Sequence, residues 1–102
     1  MTDKKVDLSL RSGHRERLRQ NFLDDKLANY ELLELLLSYA IPRRDTKPLA
    51  KTLLAKFGGI FPILSAPIDE LCRVPGMGQS TAFFLKVIQK IFLIGYRMDS
   101  AH

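Results

Sequence analysis

The stretch Arg73-Val-Pro-Gly-Met-Gly-Gln-Ser-Thr-Ala82 sets two glycines at i and i+2, after a proline and before a run with helical periodicity. Glycine reaches positive φ readily and has no Cβ to hold a partner at a distance. If a helix starts at Gln79, the N–H groups of Gly78, Gln79 and Ser80 have no partner inside it. They would point outward together at the positive end of the helix dipole, a place suited to a phosphate oxygen. The expected phosphate site is therefore Gly76, Met77, Gly78, Gln79 and Ser80. Lys86, two turns on, either adds a cation beside it or is a solvated lysine. The plain alternative is a tight helix–helix connection whose amides meet only water.

Two basic runs accompany this turn. One carries Arg15, Arg17 and Arg19; the other carries Arg43, Arg44 and Lys47. Each is either a solvated face or, if they converge with the turn, part of a surface that tracks phosphates. Arg44 has a rival role, pairing with Asp45 or with a helix C-terminus to fix the loop. A formal net charge of +5 and a pI of about 9.6 suit a polyanionic partner but say nothing of the fold.

No residue set reads as catalytic. Cys72 is the sole cysteine, which excludes an internal disulfide or cysteine zinc site. With no histidine beside it in sequence, it reads as a small core residue. His14 stands among arginines and reads as neutral and solvated, touching phosphate or capping the first helix. Asp24, Asp25, Glu31 and Glu34 read as ordinary helix-surface carboxylates. No metal-ligand spacing is seen, so neither a metal nor a cofactor is expected.

These residues need helices to position them. The chain has 102 residues, 46% of them hydrophobic, enough for one domain with one core. Residues 1–10 are expected to form an extended arm, with the first helix starting near Ser12 or Gly13. Leu18 and Phe22 then share a face. Asn29 is the expected N-cap of "YELLELLLSYAI", a helix apolar around most of its circumference and hence central, ended by Pro42. Asp45 should cap the N–H of Lys47, with Pro48 in the first turn and Gly58 stopping the helix in the left-handed conformation. Its buried stripe is Leu49, Leu53, Leu54 and Phe57. Ile60, Phe61 and Leu64 should pack inward from a short helical turn, and Leu71 and Val74 from the next. The last helix is expected from about Gln79 to Tyr96, burying Thr81, Phe84, Ile88, Ile91 and Phe92, widened by Phe83, Val87 and Ile94, with Gly95 and a polar tail (98–102) ending it. No strand competes. The expected fold is all-α, a bundle of five or six helices over residues 11–97. No signal peptide or apolar run of membrane-spanning length is present, which reads as cytoplasmic.

The short helix, Val-Pro-Gly-Met-Gly turn and long helix resemble a helix-hairpin-helix motif, over about residues 68–94. With "GHRERLRQNFL", "YELLELLLSYAIPRRDTKPLAKTLLAKFGG" and "VPGMGQSTA" in this order, the chain resembles the N-terminal domain of the RadC family of bacterial DNA repair-related proteins, from about Leu10 to Tyr96. The resemblance implies a DNA-binding accessory module that tethers a catalytic domain. In that family a JAB-type (MPN-like), metal-dependent domain with a His-x-His follows. The histidines here are His14 and His102, so no such motif occurs and none of those catalytic or metal residues can be placed. The motif class also permits a monovalent cation in the hairpin. One departure is Ala66, where the family more often has Ser or Thr before the proline; Ser65 can substitute. Lyase-type DNA glycosylases share the hairpin but carry a lysine two residues after its second glycine. Here Ser80 stands there, and serine cannot form a Schiff base. The expectation is a non-catalytic module binding DNA independently of sequence. The alternative is a protein–protein adaptor whose last helix packs on a further domain or on a second copy.

Overall fold

The computed structural model describes residues 2–101 and the side chains of residues 13–97. Six helices follow in order: α1 (Thr2–Leu23), α2 (Asn29–Ala40), α3 (Lys47–Phe57), α4 (Ile60–Ser65), α5 (Ile68–Leu71) and α6 (Gln79–Ala101). No strand occurs among the described residues, and the fold is all-α as expected.

The helix ends follow local chemistry at most junctions. The Asp45 carboxylate accepts from the N–H of Lys47 at 3.1 Å, and Pro48 lies in the first turn of α3. Gly58 closes α3 at φ 89°, its N–H donating to the Leu54 carbonyl at 2.8 Å. Ile41, held out of the helical region ahead of Pro42, ends α2 at φ −130° and ψ 72°.

Four boundaries differ from expectation. The cap of α2 is Ala28, not Asn29; Glu31 compensates by reaching back to accept from the Ala28 N–H at 3.0 Å. Residues expected as an arm belong to α1, which begins at Thr2 and runs through Gly13, and α6 continues past Gly95 to Ala101 instead of ending in a tail. A lone glycine inside a helix costs about 1 kcal/mol relative to alanine, too little to stop one between helix-forming neighbours.

The core is built where α2 meets α3 and α6. Leu33, Leu37, Leu53, Ile63, Leu71, Val74 and Leu85 are its largest fully buried side chains, each worth roughly 1.5–3 kcal/mol of hydrophobic stabilisation. Ala82 is also fully buried, which lets α6 come close to its neighbours. Cys72 packs against this core, as expected.

Several side chains expected inside lie outside. Phe61 is exposed and Ile63 takes its place, because α4 is a single short turn whose proline, Pro62, sets the register. Phe22 is exposed while Leu18 is buried. On α6 the buried face is Thr81, Ala82 and Leu85; Ile91, Phe92, Phe83, Val87 and Ile94 are exposed. The reason is reach: α6 meets α4, α5 and α2, and these neighbours cover only its first turns. Nor is α2 surrounded. Leu32 and Tyr39 are exposed and, with Phe22, Leu23, Leu35 and Leu36, line an apolar cleft of about 360 Å³.

Candidate nucleic-acid interface

The glycine turn joins α5 to α6. Gly76 has φ 91°, in the left-handed region, and a Cβ there would meet the side chains of Leu49 and Arg44 only at ordinary contact distance. Gly78 differs from expectation: it is not at positive φ, and a Cβ on it would meet nothing within 4 Å. Neither backbone strain nor packing against the chain calls for glycine there. Its open side faces solvent, next to exposed Gln79 and Ser80.

The amides sort unequally. The N–H of Met77 donates to the Val74 carbonyl at 3.0 Å, and the Met77 side chain is 5% exposed. Met77 thus belongs to the core and not to a phosphate site: the turn folds it inward to plug the gap between α5 and α6. The N–H groups of Gly78, Gln79 and Ser80 have no acceptor among the described residues, and the Gly78 carbonyl instead starts the α6 ladder, accepting from Ala82 at 3.0 Å. The corner is neither filled by the chain's own atoms nor ringed by carboxylates.

Lys86 has another task. Its Nζ donates to the carbonyls of Leu64 and Ala66, both at 3.0 Å. An ammonium placed there satisfies acceptors left open where α4 ends. Beside it, Gln89 donates to the Ser65 hydroxyl at 3.3 Å. The lysine is therefore neither solvated nor free to stand beside a bound phosphate.

The two basic runs meet in part. His14, Arg15, Leu18, Glu34, Ser38, Arg43, Arg44, Asp45, Thr46 and Lys47 line one cleft of about 670 Å³. Arg15 donates to the Pro42 carbonyl, fastening α1 to the loop that carries the second run. Arg44 also borders a smaller cleft with Pro75 and Gly76, and its Nη2 donates to the Gly76 carbonyl at 3.1 Å. Arg44 fixes its loop, but against the glycine turn and not through Asp45. It thereby links the basic cleft to the turn. Arg17 and Arg19 stand apart. Arg19 pairs with Glu16 at 3.1 Å and lines the apolar cleft beside Tyr39. The Glu16 carboxylate, followed by the Tyr39 hydroxyl, holds its guanidinium above the ordinary range.

Two residues were misjudged from sequence. Glu34 is 3% exposed, and His14 neither caps α1 nor stands in solvent. The His14 Nε2–H donates to Glu34 Oε2 at 2.7 Å, while Glu34 Oε1 has no hydrogen-bond partner. The signal was faint: Glu34 falls between Leu33 and Leu35, on a helix with apolar residues on every side. No group of His, Cys, Asp and Glu among the described residues could hold a metal ion. Nor is any helix among them long and apolar enough to cross a membrane.

Fold and site together define a small all-helical module with a basic cleft and a glycine turn that opens a long helix. The chain belongs to the UPF0758 family: the model described as "UPF0758 N-terminal" matches residues 7–83, in agreement with the resemblance to the RadC N-terminal domain. A UPF0758 protein of Fusobacterium nucleatum is 46% identical over 88 residues, covering 83% of this chain and 38% of the relative. The chain thus spans well under half the length of that curated relative. No solved structure matches it.

Proposed function

We propose that the domain is a non-catalytic, sequence-independent DNA-binding module, in which α5, the glycine turn and α6 act as a helix-hairpin-helix. The observation that carries this reading is Gly78. Its conformation and surroundings tolerate any side chain, yet it stands beside three amides without acceptors at the start of a long helix. A bare backbone there lets a phosphate oxygen reach the Gly78, Gln79 and Ser80 N–H groups. Arg44, tied to the Gly76 carbonyl, puts positive charge next to the turn. It also competes with any monovalent cation that would use that carbonyl. Contacts of this kind are to the backbone and carry no base information.

The test is salt-titrated fluorescence anisotropy with a labelled duplex. Binding is expected on the order of 10⁻⁴–10⁻⁶ M at physiological salt, weakening as salt rises. Gly78→Glu should weaken it about tenfold or more without altering helix content, since Gly78 is not at positive φ. A wild type that ignores the duplex at low salt, or a folded Gly78→Glu variant that binds as well as wild type, refutes the reading.

A second reading has its own support. Phe83, Val87, Ile91, Phe92, Leu93, Ile94 and Tyr96 leave the far part of α6 apolar and exposed. Contiguous apolar surface marks an interaction face. The adaptor role, with α6 packing on a further domain or a second copy, can coexist with DNA contact at the opposite end of the helix.

A further inference from the structure

The cleft between α1, α2 and the loop at 42–47 contains an unusual combination. Glu34 is buried, with one carboxylate oxygen held by His14 and the other, Oε1, without a partner. A buried acceptor left unmade is costly, and a buried carboxylate more so. Around it, the rim is cationic: Arg15, Arg43, Arg44 and Lys47 against Asp45. The wall includes Leu18, and the volume, about 670 Å³, falls in the range of small-molecule pockets. A bare inorganic anion does not suit this site, because the carboxylate would repel it and the space would stay unfilled. A ligand that does suit it is negative at one end, offers an N–H or O–H at the other, and has a flat apolar body between.

We propose that this cleft binds a phosphorylated nucleoside, with its phosphate on the Arg15 and Lys47 rim and a base or sugar donor on Glu34 Oε1. The Arg15 guanidinium has five N–H donors and keeps several after its bond to the Pro42 carbonyl. The ligand chemistry has two sources, a free nucleotide or an unpaired nucleotide at a DNA strand end. This site shares no amide with the glycine turn and does not depend on it.

His14 is the reporter. The chain has two histidines, His14 and His102, so its imidazole resonances are readily assigned. Titration with the four deoxynucleoside monophosphates should shift them saturably, and Glu34→Gln should weaken that binding about tenfold, with Gly78→Glu leaving it unchanged. Lys47→Glu, on the exposed rim, should weaken it as well and serves if the Glu34 variant does not fold. Competition by a duplex with one unpaired nucleotide identifies the strand end as the source, and its failure to compete identifies the free nucleotide. The proposal is overturned if millimolar nucleotide leaves His14 unmoved, or if inorganic phosphate or a blunt duplex gives the same response. Lys47→Glu binding as wild type would also end it.

Discussion

His14 and Glu34 show what a single buried pair does to a small domain. The 2.7 Å bond satisfies one carboxylate oxygen inside the fold and ties α1 to α2. His14→Ala would leave both oxygens of Glu34 unsatisfied. With the imidazole partly solvated, the expected loss is about 1–3 kcal/mol, read from urea unfolding. Replacing the pair jointly, His14→Leu with Glu34→Leu, should recover much of that loss, because no buried acceptor then remains without a donor. A double variant as unstable as the sum of its singles would show that the pair is structurally indispensable. The sequence concealed this pair because twenty residues separate its members, and spacing rules reach only one or two helical turns. Asp45, by contrast, was legible: its cap on Lys47 is local, and every atom involved lies within three residues.

Helix ends decide what the elements can present to a partner. Gly76 and Gly78 look alike in sequence, but they play different parts. Gly76→Ala should destabilise by about 1 kcal/mol or more, since it forces a side chain to φ 91°. Gly78→Ala should leave thermal stability unchanged or slightly higher, because neither φ nor packing opposes the methyl group. Calorimetric melting of the two variants separates them, and equal losses would contradict the distinction drawn here. Lys86 is argued on the same footing. Lys86→Met keeps the aliphatic stem but abandons the Leu64 and Ala66 carbonyls, so it should lower stability by about 1–2 kcal/mol while changing duplex affinity less than twofold. A large affinity loss with intact stability would return Lys86 to the phosphate site. Five of the six helices and their order could be read from periodicity, prolines and caps. The tertiary use of Lys86 could not, because nothing local indicates which carbonyls a lysine will find.

At the scale of the whole molecule, the unexpected feature is how α6 divides. Its hydrophobic stripe continues from Thr81 to Ile94, and periodicity alone buries all of it. Burial, however, requires something opposite. The chain provides α2, α4 and α5 against the first turns and nothing comparable beyond them. Hydrophobic pattern therefore told where a face exists but not how far the domain covers it. The division makes a sharp stability prediction. Leu85→Ala, at a fully buried position, should cost about 2–5 kcal/mol. Ile91→Lys, at a position 63% exposed, should change stability by less than about 0.5 kcal/mol despite the greater chemical change. Thermal melts at several protein concentrations check both. If Ile91→Lys destabilises as strongly as Leu85→Ala, and more so at high concentration, then the far half of α6 is buried between copies of the chain. If it has no effect at any concentration, the apolar face is an unfilled docking surface, and the further chain that relatives of greater length carry becomes the natural occupant to test.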